Sequence, residues 1–222
     1  MTAATGAPPA AVVFDNDGLL LDTEVAWTRA EQALFLAHGS VFTDEHKRDI
    51  IGSSAAVAAV KLERMLEMPG EGAALMAELH ERVMATLLDG VEPMPGAVAL
   101  LDALAEDRRP TALATNSRRD FVARALEVSG LAGRFETVLT AQDVEQPKPA
   151  PDIYLAACAA LGAEPANCAG LEDTQTGLTA LRAAGMFAIA VPSLPGVALD
   201  GADLIAPSLA DPAIYAALGL AR

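Results

Sequence analysis

Short apolar runs, each followed by polar or glycine-rich residues, recur along most of this chain and alternate with segments of helical spacing. Residues 12–14 read Val-Val-Phe and stop abruptly at Asp15-Asn16-Asp17-Gly18. Runs at 111–115, 137–140, 168–171 and 187–191 read as further strands, and 202–205 as an edge strand. Between them, helical patterns cover 96–107, 117–130, 151–161, 174–184 and 211–218, the second opening on Ser117 as a cap. Strands alternating with helices predict a parallel sheet with right-handed crossovers, an α/β doubly wound core.

Residues 24–90 break that rhythm, because their pattern is helical throughout and contains no strand candidate. Asp22 or Thr23 starts a helix that runs to about His38 and stops at Gly39; Thr43 starts a second that ends near Gly52. Ser53 or Ser54 caps a third through Leu66, and residues 71–88 make a fourth. The predicted organisation is a core of residues 10–22 and 93–222 with an all-helical domain, 23–92, inserted after the first strand. The joining segments lie near 22–24 and 90–95.

At 222 residues and 52% apolar composition, the chain can bury a sizeable core. A formal net charge of −15, with no large Lys/Arg cluster, argues against a nucleic-acid partner. Cys158 and Cys168 have no neighbouring His or Cys and read as small core residues of a reduced, cytoplasmic protein. Residues 1–11 carry no Lys or Arg, so they lack the basic region of a secretion signal and read as a short tail. No apolar run approaches the ~20 residues that cross a bilayer. A monomer without membrane or nucleic-acid contacts is the expectation.

Candidate chemistry sits at the strand ends. Asp15 and Asp17, two residues apart in extended chain, face one side while Asn16 faces the other. The second strand ends in Thr115-Asn116-Ser117, a later loop carries Lys148 among prolines, and another strand ends in Glu172-Asp173. All strand C-termini of a parallel sheet share one edge, so these groups converge. Taken singly, each has an ordinary alternative: Asp15-Asn16-Asp17-Gly18 an Asx turn, Thr115 and Ser117 helix caps, Lys148 a surface lysine, and Glu172-Asp173 a helix N-terminus. Their joint order makes the case for catalysis.

That order resembles the haloacid dehalogenase-like hydrolase superfamily, in which an Asp-x-Asp-Gly start, a Ser/Thr, a Lys and an acidic pair follow one another. The resemblance spans nearly the whole chain and includes Lys148-Pro149-Ala150-Pro151-Asp152-Ile153-Tyr154 and Gly170-Leu171-Glu172-Asp173-Thr174-Gln175-Thr176-Gly177. It points to the subgroup with a helical cap that includes beta-phosphoglucomutase and many small-metabolite phosphatases. The resemblance implies a Rossmann-like core and a cap that opens and closes over the site. Asp15 would be the nucleophile and Asp17 the general acid/base. Asp15, the Asp17 backbone carbonyl and Asp173 would hold Mg²⁺, supported by Glu172 from beside the site. Charge on the transferring phosphoryl group would be met by the Thr115 hydroxyl, the Asn116 backbone N–H and side chain, and the Lys148 ammonium.

Departures from the pattern refine the expectation. Asp17 is present where a dehalogenase of this superfamily would lack it, so phosphoryl chemistry is favoured. Beta-phosphoglucomutase-like chains carry an Arg shortly after the glycine matching Gly52 and a His in the first cap helix, whereas Ser53-Ser54-Ala55 and Trp27 stand here. Without that Arg a second phosphate is gripped poorly. The expected activity is therefore Mg²⁺-dependent hydrolysis of a small phosphorylated metabolite, a sugar or polyol phosphate, through an aspartyl-phosphate. A mutase and a catalytically idle binding protein are the alternatives. Trp27 stacks on substrate or packs between helices; Lys47 and Arg48 greet a charged substrate or form a solvated face. His38, His46 and His80 have no metal-like spacing.

Overall fold

The computed structural model describes residues 7–51, 53–193 and 199–221. The tail reading of residues 1–6 and the helix stop at Gly52 lie outside the described residues. The chain folds as two compact units, one formed by the segment up to Asp22 together with Glu92 onward, the other by Thr23–Val91.

In the first unit the strands are β1 (Ala11–Phe14), β2 (Thr111–Thr115), β3 (Thr137–Thr140), β4 (Cys168–Glu172), β5 (Phe187–Ala190) and β6 (Leu204–Ile205). They form one six-stranded sheet in the order β3-β2-β1-β4-β5-β6, parallel throughout. β1, β2 and β4 are buried along their whole length, which is why their middle residues are apolar without alternation. Strand order reverses about β1, with β2 on one side and β4 on the other, so the crevice of this open α/β sheet lies beyond their C-terminal ends.

Nine α-helices are described: α1 (Glu24–Ala37), α2 (Asp44–Ile50), α3 (Ala55–Met65) and α4 (Gly72–Thr86) in the second unit, and α5 (Ala97–Glu106), α6 (Arg119–Val128), α7 (Asp152–Ala160), α8 (Gln175–Ala183) and α9 (Pro212–Leu218) in the first. Among the described residues the second unit is entirely helix and loop, as its pattern predicts. One core cluster joins Val13, Ala112 and Ala114 of the sheet to Ile153, Tyr154 and Ala157 of α7 and Leu178 and Leu181 of α8. Cys158 and Cys168 are buried in it as free thiols.

Local chemistry accounts for several boundaries. Thr43 and His46 close a capping box at the start of α2, Ser54 caps α3, and the Thr174 hydroxyl accepts from the Gly177 N–H at the start of α8. One expectation is overturned: α6 begins at Arg119 behind Arg118, and Ser117 does not cap it. The fourth helix also ends earlier than its apolar pattern suggests, passing into a 3₁₀ turn at Leu87–Asp89.

After β1 the chain turns tightly, with Leu20 N–H and Leu21 N–H both donating to the Asn16 carbonyl. Leu21 then pairs antiparallel with Pro93, and Asp22 N–H donates to the Glu92 carbonyl at 2.9 Å. The segments leaving and re-entering the first unit are thus stitched together, so an insertion there leaves the sheet undisturbed.

Candidate active site

Asp15 follows directly on β1, and its backbone N–H donates to the Leu171 carbonyl of β4, so the first carboxylate is fixed against the strand that bears Glu172. Lys148 reaches the same point from the loop after β3. Its ammonium donates to Asp15 Oδ1 at 2.6 Å, to Glu172 Oε1 at 2.6 Å and to the Ala114 carbonyl at 2.8 Å, which uses all three of its protons. All three side chains are buried, so the pairs are made in a poorly solvated setting where each charge depends on the others.

The loop that carries Lys148 is held in turn by Asn116. The Asn116 amide donates to the Lys148 carbonyl at 3.0 Å, and its oxygen accepts from the Lys148 N–H at 3.0 Å. From the sequence both the side chain and the backbone N–H of Asn116 are expected to face a phosphoryl group; here the side chain is engaged in clamping Lys148. The Lys148-Pro149 peptide bond is cis.

Glu172 is engaged at both oxygens. Oε1 also accepts from the Tyr154 hydroxyl at 2.5 Å, and Oε2 accepts from the Thr174 hydroxyl at 3.1 Å. Its carboxyl lies where a side chain at position 177 would be: a Cβ built on Gly177 would come within 1.8 Å of Glu172 Cδ. Gly177 therefore admits Glu172 against the first turn of α8. Tyr154 also presents its ring to the Lys148 ammonium, 4.8 Å from the centroid. Tyr154 lies within the motif around Lys148, but only folding reveals that α7 delivers its hydroxyl to β4.

Asp17 occupies the other side of the turn, by the end of β2. Ser117 Oγ donates to Asp17 Oδ2 at 2.6 Å and Thr115 Oγ1 donates to the same oxygen at 3.2 Å. Ser117, read from sequence as a cap, belongs instead to this cluster. The signal that could reveal it is spacing: in extended chain it lies on the same side as Thr115.

Asp173 completes the edge. Its carboxyl is hydrogen-bonded to Ser193, yet its Oδ1 is buried with no hydrogen-bond partner among the described residues. Gly18, at φ +79°, keeps the space beside it clear, since a Cβ there would stand 2.3 Å from Asp173 Oδ2. Ligand oxygens of Asp15, Glu172 and Asp173 all lie within 4.8 Å of one another. Burial pushes the Asp15 carboxyl up to about 8 against the pull of Lys148, with Glu172 and Asp17 adding repulsion. Burial likewise raises Asp173 well above the usual carboxylate range, with Asp15 and Glu172 adding to it. Lys148 is raised in its turn, held protonated by Asp15 and Glu172 despite its burial.

Three acids around one lysine leave this edge short of positive charge. An orphaned, buried carboxylate oxygen and an all-oxygen donor set fit a hard divalent cation. Because both Glu172 oxygens already accept bonds from the protein, Asp15 and Asp173 are the better-placed ligands.

Other sequence candidates lie in the second unit. Lys47 pairs with Glu24 at 2.8 Å and with the buried Glu31 at 3.0 Å. His46 serves the α2 cap, and His38 pairs with Glu78 at 2.9 Å. Trp27 is partly buried on α1. No described helix is long and apolar enough to cross a membrane.

Comparison with known proteins agrees with the fold. Residues 9–185 match the family model of the haloacid dehalogenase-like hydrolases. The chain is 33% identical over 184 residues to the fructose-1-phosphate phosphatase YqaB of Escherichia coli, covering 82% of this chain and 96% of that one. To hexitol phosphatase B of the same species it is 29% identical over 192 residues, with 82% and 83% coverage. Among solved structures, CbbY from Rhodobacter sphaeroides in complex with phosphate superposes with a TM-score of 0.81 at 26% identity, over 91% of this chain and 96% of that one. The family match spans most of the chain, the fold agrees with it, and the chain belongs to the haloacid dehalogenase-like hydrolases.

Proposed function

We propose that this enzyme is a Mg²⁺-dependent phosphatase of small phosphorylated metabolites, of the sugar or polyol phosphate class, working through an aspartyl-phosphate. The observation that carries the reading is the buried edge at which Lys148 sits 2.6 Å from Asp15 while Asp173 keeps an oxygen unpartnered among the described residues. Such an edge is built to receive an anion together with a cation. The named activities of the two Escherichia coli relatives, on fructose 1-phosphate and on hexitol phosphates, suggest the substrate class.

In this mechanism the Asp15 carboxylate attacks phosphorus and the substrate's P–O bond breaks. Splitting the transfer in two replaces one difficult step by two easier ones. Asp17 gives its proton to the leaving oxygen, then takes one from the water that hydrolyses the acyl-phosphate. Lys148 neutralises the repulsion between the Asp15 carboxylate and the incoming phosphate. The Thr115 hydroxyl and the Asn116 N–H donate to the equatorial phosphoryl oxygens, where charge accumulates. Asp15, Asp173 and the Asp17 carbonyl would hold Mg²⁺, which when bound lowers the carboxyl protonation of the edge and screens the phosphoryl charge. Glu172 supports that arrangement by fixing Lys148.

Hydrolysis is favoured over phosphate relocation by what stands after Gly52. Ser53 Oγ accepts from Lys61 at 3.0 Å and Ser54 caps α3, so neither provides the two-pronged grip of an arginine.

The test is phosphate release from a panel of sugar, polyol and other small phosphate esters, with Mg²⁺ and with EDTA, using Asp15→Asn as control. Release that requires both Mg²⁺ and Asp15 supports the reading and names a substrate. Isomerisation of beta-glucose 1-phosphate on addition of a bisphosphate, without net release, would replace it with a mutase.

A further inference from the structure

Asp17, Thr115 and Ser117 form a closed ring of hydrogen bonds. Asp17 Oδ2 accepts from Ser117 Oγ at 2.6 Å and from Thr115 Oγ1 at 3.2 Å, and Ser117 N–H returns to Thr115 Oγ1 at 3.0 Å. A threonine hydroxyl has one proton to give. Thr115 therefore cannot donate to Asp17 and to a phosphoryl oxygen at the same time, whereas Ser117 makes the shorter bond and faces no such conflict.

The geometry points to Ser117 as the positioning residue of the Asp17 acid/base. When the Thr115 hydroxyl turns to the phosphoryl group, the Ser117 hydroxyl still donates to Asp17 Oδ2, and the carboxyl keeps its orientation through both chemical steps. This inference rests on the acid/base reading of Asp17 and deepens it. With Oδ2 occupied as acceptor, the mobile proton is carried on Oδ1. In the first step the Oδ1–H bond breaks, an O–H bond forms on the leaving oxygen, and that oxygen keeps the electron pair of its broken bond to phosphorus. Asp17 is left as an anion whose charge Ser117 supports. In the second step a water oxygen bonds to phosphorus, the bond from phosphorus to Asp15 breaks, and Oδ1 takes the water's proton.

Leaving-group dependence separates positioning from a general structural role. Phenyl phosphate and 4-nitrophenyl phosphate have nearly the same shape, but phenolate is much the stronger base and needs a proton on departure, whereas 4-nitrophenolate does not. Single-turnover release of the phenol is measured by rapid quench with enzyme in excess and Mg²⁺ present. Ser117→Ala is expected to slow phenol release about 10-fold while leaving 4-nitrophenol release within about twofold, and Ser117→Thr to restore the former. Equal slowing of both esters, or of neither, overturns the proposal. Asp17→Asn in the same assay distinguishes the two levels. A selective loss there without one in Ser117→Ala removes only Ser117's role; no selective loss in Asp17→Asn removes the acid/base reading and the proposal together.

Discussion

Each unit of this protein sets a lysine between two carboxylates. In the first, Lys148 lies between Asp15 and Glu172; in the second, Lys47 lies between Glu24 and Glu31. The surroundings differ. The Lys148 side chain is 4% exposed and that of Lys47 20%, so water helps to solvate the second cluster and hardly reaches the first. The first cluster also borders a further acid, Asp173, with an oxygen left unpartnered among the described residues. Two carboxylates on a partly hydrated lysine make an ordinary ion-pair network. Two on a buried lysine with a third buried acid beside them make an edge that the proposed cation would balance. Similar local pairings thus differ in purpose because of what the fold puts next to them.

The comparison breaks most sharply at Asp173. Asp173→Asn is expected to raise the Mg²⁺ concentration for half-maximal activity by about 10- to 100-fold, and no change at Glu31→Gln is expected in the same titration. An unaltered metal dependence for Asp173→Asn would place the metal elsewhere.

Removing the two lysines tests the energetic side. Lys148→Met leaves buried carboxylates without their cation and is expected to lower unfolding free energy by about 3–5 kcal/mol, whereas Lys47→Met costs about 1 kcal/mol or less. Urea unfolding at neutral pH compares them, and equal losses would show that burial does not set the two clusters apart.

The smallest effect concerns pH. Burial lifts Glu31 from an ordinary 4.5 to about 6, although Lys47 pulls it down. Between those values the folded chain holds the Glu31 proton more tightly than the unfolded chain. The stabilisation is therefore full below the unfolded value and is lost as pH rises through about 6, a change of about 2 kcal/mol. Relative to the native chain, Glu31→Gln should flatten stability across that window in pH-dependent urea unfolding. Parallel curves would assign the dependence to other groups.

Much of this is legible in the residues. The run 111–115 is a strand over the same residues, buried throughout around its apolar middle, and 137–140 is a strand over the same residues at the half-buried edge of the sheet. The run at 168–171 extends by one residue to Glu172, an acid whose burial no pattern suggests. The helical character of the inserted segment is equally plain from its spacing. Ser117 escapes such a reading because a serine before a helix is usually a cap, and its partner Asp17 lies a hundred residues away in sequence.

By itself, then, the amino-acid sequence determined the alternation of strands and helices, the all-helical insertion and the family motifs, since these depend on local periodicity and on residues close along the chain. Only the tertiary structure decided that Asn116 clamps Lys148, that Tyr154 reaches Glu172, that Gly177 makes room for that carboxyl and that Ser117 holds Asp17. Most of those join segments from different strand ends, and a hydrogen bond has no trace in sequence until the sheet order has brought donor and acceptor within about 3 Å.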